Sequence, residues 1–363
     1  MRRRQFNSYL GTLLLSALLP KLGHASVDQY YASASVDGSG QHWLVVFNQL
    51  AVEKLRYPLP GRAHQVIKHP TQDWLLVVAR RPGEYLLLID IQSGEKIVQL
   101  SPRAGQHFCG HLQISADGRY LYTTENLSAS SAGLIAVREL AGGYATVAQF
   151  SSGGIGPHQL KLSSAGQQLI VANGGIHTRD RVKLNLQQMR PSLAYIDLTS
   201  GQIEQQLVLD QQYSQLSIRH IDVSGDDSVL IAMQYQGERT ARVPLVATHS
   251  QTDSLRFLEI PDMEYYQLKH YCGSACFDRT GKTVAVSAPK GDKILFWDFH
   301  ERRYLGSVKV RDGCGLAPGH EANSFVVSSG RGRVYQINPH SQKKSQFLSS
   351  KTVQWDNHLA RLN

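Results

Sequence analysis

Five histidines stand at equivalent positions of a repeated unit, and they are the residues best suited to chemistry in this chain. They are His64, His111, His158, His220 and His358. Imidazole is the commonest protein ligand of copper, zinc or iron at neutral pH. Two interpretations stay open: a metal site, or a packing or anion-binding device that every copy of the repeat inherited.

Four cysteines form a second group. Cys109, Cys272 and Cys314 each precede a glycine and occupy one position of the repeat, two residues before the histidine position, while Cys276 lies four residues after Cys272. In an oxidising compartment these cysteines are candidates for disulfides or for soft metal ligands at the rim of the site. The alternative is a set of small buried apolar side chains. Four cysteines allow three complete pairings, and the sequence does not choose among them.

Basic residues offer contacts to anions or partners. Arg62 and Arg219 lie beside the histidine positions and are candidate anion contacts. A segment at about 174–191 does not fit the repeat and includes Arg179, Arg181 and Lys183. Because loops on rigid scaffolds often carry function, this insertion is a candidate partner contact, and a solvated loop is the alternative.

The repeated unit itself predicts four short antiparallel strands. Its clearest copy covers 109–150, where a turn containing Asp117-Gly118 separates the first two strands. The Asp-Gly pair is suited to a tight hairpin, and short apolar runs between turns indicate an antiparallel meander. Further copies open near residues 63, 156, 218, 272 and 314.

The spacing of the copies predicts a closed ring. His64, His111 and His158 recur at intervals of 47 residues, which matches repeats of about 40–50 residues that each form one blade. Residues 30–57 supply three strands without a first, and 355–362 supply a first strand alone. Pairing them removes the exposed edges of an open array. We therefore predict an all-β, seven-bladed β-propeller of four-stranded antiparallel blades, closed by its N- and C-terminal strands.

The propeller axis would bring the histidines together. The histidine position lies where the chain enters the innermost strand of each blade, and these entry points surround one mouth of the central channel. We expect the ring to be too wide for all five imidazoles to meet. The favoured set is therefore the arc from consecutive blades: His358, His64, His111 and His158.

The N-terminus predicts export. Arg2, Arg3 and Arg4 precede an apolar stretch at 10–19, and small residues end at Ala25, which is typical of a cleaved signal peptide. The Arg3-Arg4 pair favours the twin-arginine (Tat) route. The predicted organisation is thus a signal peptide at 1–25 and one propeller domain at 26–363, located in the periplasm.

Charge and hydropathy restrict the partners. The formal net charge is +9, and removing four basic residues with the signal leaves 9 − 4 = +5. No run of Lys and Arg is dense enough to indicate nucleic-acid binding, and no segment after the signal has the 18 apolar residues of a membrane span. We expect a monomer.

Several motifs resemble one known family. They are Arg3-Arg4, Gly156-Pro157-His158-Gln159-Leu160, Gly174-Gly175-Ile176, Lys183-Leu184-Asn185-Leu186, Met189-Arg190-Pro191-Ser192-Leu193 and Ser217-Ile218-Arg219-His220. The chain resembles a family of Tat-exported, YVTN/WD-repeat-like bacterial propellers that is catalogued as a domain of unknown function. Members of that family are often encoded near imelysin-type iron-regulated envelope proteins. The resemblance therefore implies a periplasmic role in iron or copper handling, with an envelope protein of iron or copper uptake as partner.

Three functions follow, in order of preference. The first is a binding propeller whose histidine-lined mouth holds copper, iron or a small anion in envelope metal handling. The second is a non-catalytic interaction scaffold that uses the basic insertion. The third is a propeller enzyme, either lactonase-like or an oxidoreductase, and it ranks last because the sequence contains no nucleophile elbow, P-loop, dinucleotide loop or haem-attachment motif.

Overall fold

The computed structural model describes residues 28–179 and 182–363, and it confirms the seven-bladed propeller. Seven antiparallel sheets of four strands stand in a ring, and their innermost strands pack side by side in chain order. The signal peptide predicted at 1–25 lies outside the described residues. Within the described residues, no helix has the length and apolar character needed to cross a membrane.

The strands follow the repeat blade by blade. Blade 1 contains β1 (Tyr30–Asp37), β2 (His42–Asn48), β3 (Glu53–Leu59), β30 (Val353–Trp355) and β31 (Ala360–Arg361). Blade 2 contains β4 (Ala63–Lys68), β5 (Trp74–Ala79), β6 (Leu86–Asp90) and β7 (Lys96–Leu100). Blade 3 contains β8 (Gln106–Ile114), β9 (Tyr120–Leu127), β10 (Ala132–Glu139) and β11 (Thr146–Ile155). Blade 4 contains β12 (Pro157–Leu162), β13 (Gln168–Asn173), β16 (Ser192–Asp197) and β17 (Ile203–Val208).

The remaining blades have the same order. Blade 5 contains β18 (Leu216–Val223), β19 (Val229–Tyr235), β20 (Val246–Ser250) and β21 (Asp253–Phe257). Blade 6 contains β22 (Ala275–Phe277), β23 (Thr283–Ala288), β24 (Lys293–Asp298) and β25 (Arg303–Lys309). Blade 7 contains β26 (Gly313–Pro318), β27 (Phe325–Ser329), β28 (Arg333–Asn338) and β29 (Lys343–Ser349).

The elements outside the blades are short. The insertion joins β13 to β16 and contains the hairpin β14 (Thr178–Arg179) and β15 (Val182–Lys183), followed by a 3₁₀ turn at Leu186–Gln188. The other helical elements are α1 (Asp262–Tyr265) and 3₁₀ turns at Gln211–Tyr213, Tyr266–Leu268 and Pro289–Gly291. The insertion therefore lies on the side of the ring where the chain enters the innermost strands, which we call the entry side.

Alternating apolar side chains hold neighbouring blades together. Along β5, Leu75 and Val77 pack in the apolar layer against blade 1, whereas Leu76 and Val78 pack in the layer against blade 3. Successive side chains of a strand point to opposite faces, so a continuous apolar run supplies both layers. Such layers fill every interface around the ring. The apolar runs of the repeat are consequently core rather than ligand contacts.

The terminal strands close the ring as predicted. Both β30 and β31 pair with β1 in antiparallel register, and the Trp355 ring lies 5.0 Å from that of Phe47. The innermost strand of blade 1 is interrupted by residues 356–359, which carry Asp356 and His358. The Ser33 hydroxyl donates a hydrogen bond of 2.7 Å to the carbonyl of His358, which fixes this interruption against β1.

Candidate functional site

β-bulges place the histidines of blades 2 to 5 on the propeller axis. The pairing of the innermost with the second strand shifts register between Ala63 and Val66, Phe108 and Leu112, Pro157 and Leu160, and Ile218 and His220. Each shift includes or adjoins one histidine. A bulge leaves a residue out of the ladder and redirects its side chain. A register shift therefore recurs at the position where each of these four imidazoles meets the channel.

Glycines beside the histidine position permit a close approach of neighbouring blades. Gly110 has a φ of +101°, and a β-carbon there would meet the His64 ring at 2.7 Å. A β-carbon on Gly315 would lie 2.9 Å from the backbone nitrogen of Leu359, directly after His358. A side chain at Gly110 or Gly315 would thus displace a histidine of the cluster or the backbone beside it, which explains the glycine at these two positions.

All five imidazoles meet at the axis. In nine of the ten ring pairs the centroids are separated by 4.5 to 6.3 Å, and the Nε2 atoms of His111 and His358 are 3.1 Å apart. His220 thus lies beside the four histidines of the predicted arc. The sets whose nitrogens lie within 4.8 Å of one another contain three histidines each, so the expectation that only a subset binds one ion stays a prediction.

Two sets of three histidines could hold a metal ion. The first set is His64, His111 and His158, and the second is His111, His220 and His358. Within each set the ligand nitrogens lie within 4.8 Å of one another. Two nitrogens bound to one metal at about 2.0–2.1 Å are roughly 2.9–3.4 Å apart, so the His111–His358 pair already has this separation. His111 belongs to both sets.

Burial keeps the cluster uncharged. Desolvation is the main cause that lowers the pKa of His111, His158, His220 and His358 well below the ordinary value, and nearby imidazoles and cations lower it further. Burial also lowers the pKa of His64, partly offset by Asp356. At neutral pH the five rings therefore offer nitrogen lone pairs and no positive charge.

Two glutamines that the sequence did not single out contact the histidines or the strands that carry them. The side-chain oxygen of Gln159 lies 3.2 Å from His220 Nδ1 and also accepts a hydrogen bond from the backbone of Ile221. Gln65 accepts in the same way from the backbone of Leu112. Both glutamines directly follow a histidine of the cluster, and this repeated His-Gln pair was the signal that could have identified them.

Asp356 is a buried carboxylate beside the cluster. It forms an ion pair with Arg62, and its Oδ1 lies 3.8 Å from His64 Nδ1. Although burial alone would raise the pKa of Asp356, the nearby His64 ring and the hydrogen bonds from Arg62 hold that pKa below its usual range. Arg62, a candidate anion contact, is thus already paired with a carboxylate.

The cluster divides the channel into two chambers. The entry-side chamber, of about 180 Å³, is lined by His64, Arg80, Arg81, Cys109, His158, Arg219, His220, Gln234, Tyr271 and Asn357. The opposite chamber, of about 410 Å³, reaches His358 and contains the ion pair between Lys161 and Asp222, whose atoms are 2.8 Å apart. His111 lies between the chambers and is fully buried.

Arg219 reaches the entry-side chamber and is only 6% exposed. Burial, with the charge of Arg81 second, lowers the pKa of Arg219 to about 9. The guanidinium therefore keeps its charge at neutral pH. Its Nε has no hydrogen-bond partner among the described residues.

The four cysteines are free, buried thiols. Cys109 lines the entry-side chamber and Cys276 lines the opposite one, whereas Cys272 packs in the apolar layer around blade 5. The Sγ of Cys314 lies 3.6 Å from Asp312. Burial raises the pKa of Cys109 and Cys272 to about 12, and it also raises the pKa of Cys276 and Cys314. All four are therefore protonated at neutral pH.

The insertion extends toward the entry-side mouth. Lys183 donates to the side chain of Gln236, and burial, followed by the charges of Arg219, Lys290 and Arg81, lowers its pKa. Arg179 is exposed, and Arg181 lies outside the described residues. The basic character of the insertion thus adds to the positive charge over this mouth.

Comparisons with known proteins define the family. Hydrazine synthase of Kuenenia stuttgartiensis has a similar structure with a TM-score of 0.62 and 13% identity, covering 87% of this chain and 95% of that one, which shows the fold alone. No curated protein matches the chain in sequence. The model of the family described as "Protein of unknown function (DUF1513)" matches residues 57–362, so the chain belongs to that family.

Proposed function

We propose that the axial histidine cluster binds one transition-metal ion, copper or iron, in a protein of metal handling in the bacterial envelope. The observation that carries this proposal is the convergence of five imidazoles from five consecutive blades. Their ligand nitrogens lie within 4.8 Å of one another in two overlapping sets that share His111. Binding of three or more nitrogens to one ion would require small rotations of the rings about their side-chain torsions.

Unpaired nitrogens favour a metal over mere packing. The Nδ1 atoms of His64, His111 and His158 are buried and have no hydrogen-bond partner among the described residues. Buried polar atoms are normally paired, and each unpaired one costs about 1–3 kcal/mol. A packing device would satisfy these atoms or use apolar side chains. A metal ion gives such lone pairs a partner.

The charge of the cluster favours a cation over an anion at this position. Burial keeps the imidazoles neutral, and a neutral imidazole coordinates metal directly without first losing a proton. An anion would meet only the single N–H donor of each neutral ring, because the same burial disfavours positively charged rings. The charge state of the cluster therefore favours a metal cation over a small anion.

The ligand chemistry indicates which metal to test first. Imidazole suits zinc, copper, iron and nickel, and affinity for divalent ions at such a site is highest for copper. The buried thiols are protonated and supply no ready sulfur ligand. Copper is therefore the first metal to test, because its affinity for such a site is the highest. Iron is the second, because the family resemblance implies iron-regulated proteins encoded nearby.

Export and partnership complete the proposal. Residues 1–25 would direct the chain through the Tat route, which carries folded cargo and allows a metal to enter before export. The periplasm would be its location, and an envelope protein of iron or copper uptake its partner. The basic insertion with Arg179 and Lys183 would be the contact surface.

Metal analysis of protein purified after native export tests this function. We expect one copper or iron ion per chain that survives dialysis against weakly chelating buffer. Protein with no stoichiometric transition metal and no binding on metal titration would contradict the proposal. If such protein captured one specific envelope partner, the interaction scaffold would become the better description.

A further inference from the structure

Arg219 is a buried cation without a counter-ion in the part of the chain that the structure describes. Its side chain is 6% exposed and forms no ion pair with a described residue. Buried charges in proteins are ordinarily paired, because leaving water without a partner is costly. Arg219 therefore lacks the partner that its position requires.

Two buried carboxylates of neighbouring blades are paired with other arginines. Glu125 accepts a hydrogen bond of 2.7 Å from Arg138 through Oε1, while its Oε2 has no partner among the described residues, and Asp356 is paired with Arg62. None of the described residues that line the entry-side chamber is acidic. The protein thus provides no negative charge where the guanidinium of Arg219 meets this space.

Other groups around the chamber add positive charge and polar contacts. Arg81 lines it together with Arg219, and the charges of both lower the pKa of Lys183 above the mouth. The side chains of Tyr271 and Gln234 also line it. Charged and amide donors facing one small space are the contacts that proteins use for carboxylates and oxyanions.

We propose that the entry-side chamber binds one small oxyanion or carboxylate on the guanidinium of Arg219, with Arg81 as a second contact. The chamber volume of about 180 Å³ limits the occupant to a small anion such as phosphate, sulfate or a short dicarboxylate. Pockets for drug-sized ligands are larger, at about 300–1,000 Å³. Bidentate hydrogen bonding by the guanidinium would orient the anion.

The anion site is separate from the proposed metal site. His64, His158 and His220 line one side of the same chamber, so the anion would lie between Arg219 and the histidine cluster. The unpaired charge of Arg219 does not depend on a metal. The anion should therefore bind to metal-free protein, and failure of the metal proposal would leave this one intact.

Calorimetric titration of chelator-treated, metal-free protein with inorganic phosphate and with malonate tests the site. We expect saturable binding of at least one of these anions, with one anion per chain, at constant ionic strength and pH 7. The Arg219→Gln variant should bind roughly tenfold to a hundredfold more weakly, as expected for loss of a charge-assisted contact. Arg256→Gln, an exposed arginine of the same blade, is the matched control and should bind as the wild type does.

Arg219→Met shows whether loss of binding reflects loss of the fold. Removing an unpaired buried charge while keeping the length of the side chain should maintain or raise the melting temperature. Phosphate and malonate should then no longer shift that temperature. Wild-type affinity in Arg219→Gln, or no saturable binding of either anion to the wild type, would overturn the proposal. Binding that appears only after metal loading would place the anion on the metal and would also overturn it.

Discussion

Replacement of both His111 and His158 by alanine is expected to abolish metal retention. His111 belongs to both sets of convergent nitrogens, and His158 completes one of them, so the double variant leaves neither set with three ligands. Loss of a group that merely supports a metal ligand already weakens binding about tenfold to a hundredfold. Loss of two ligands should exceed this, as measured by copper or iron content after dialysis and by competition with a chelator of known affinity.

The fold of the double variant should remain intact. Apolar layers at every blade interface hold the ring, and neither histidine belongs to them. His69→Ala is a matched control, because His69 is equally buried in blade 2 but bonds to the carbonyl of Gly118 away from the axis. This control should keep the metal. If the double variant unfolds and the wild type never holds metal, the histidines are packing devices.

Acidification should destabilise the metal-free protein steeply below pH 6.5. The pKa values of His111, His158, His220 and His358 are well below the ordinary value of 6.5 in the folded chain, whereas the unfolded chain titrates near it. Between these values the unfolded state binds more protons. Stability is therefore fully present above pH 6.5 and falls as the pH decreases toward the folded pKa values, by about 1 kcal/mol per histidine for each pH unit.

Denaturant unfolding at pH 7.5, 6.5 and 5.5 measures this effect. A variant with His111→Gln and His358→Gln should lose less stability on acidification, whereas His320→Gln, at an exposed position, should behave as the wild type. Carboxylates with lowered pKa values, such as Asp37 with a pKa of about 2, change the free energy of unfolding only below about pH 4. They therefore do not affect the comparison between pH 7.5 and pH 5.5. If the free energy of unfolding of the His111 and His358 variant depends on pH as steeply as that of the wild type, the cluster is not held neutral by burial.

The fold could be predicted from the sequence because its evidence is local and repeated. Each blade contributes similar apolar runs and turns, such as Asp117-Gly118, and the incomplete ends at 30–57 and 355–362 complement each other. The interruption of the last strand at 356–359 was not predicted. Its position depends on contacts with β1, including the bond from Ser33, that join the two ends of the chain.

The site was only partly predictable for a related reason. Equivalent repeat positions indicated that the histidines converge, but how closely they meet depends on bulges such as the one between Phe108 and Leu112. A bulge is a property of pairing and leaves little trace in one strand's sequence. The same limit applies to Asp356, whose pairing with Arg62 joins residues far apart in the chain.

Arg219 shows what burial adds to a sequence pattern. Its place beside His220 made it a candidate anion contact together with Arg62, and the two could not be distinguished by position in the repeat. The structure separates them, because Arg62 has a carboxylate partner and Arg219 has none among the described residues. The cysteines are a similar case, since their spacing left disulfides open while all four are free thiols.

X-ray absorption spectroscopy of copper- or iron-loaded protein identifies the ligand atoms around the metal and so tests the histidine site itself. We expect a nearest shell of nitrogen at about 2.0–2.1 Å that includes at least three imidazoles. These imidazole contributions should disappear in the His111→Ala, His158→Ala variant. A nearest shell containing sulfur at about 2.3 Å, or one made only of solvent oxygen, would contradict a histidine metal site on the propeller axis.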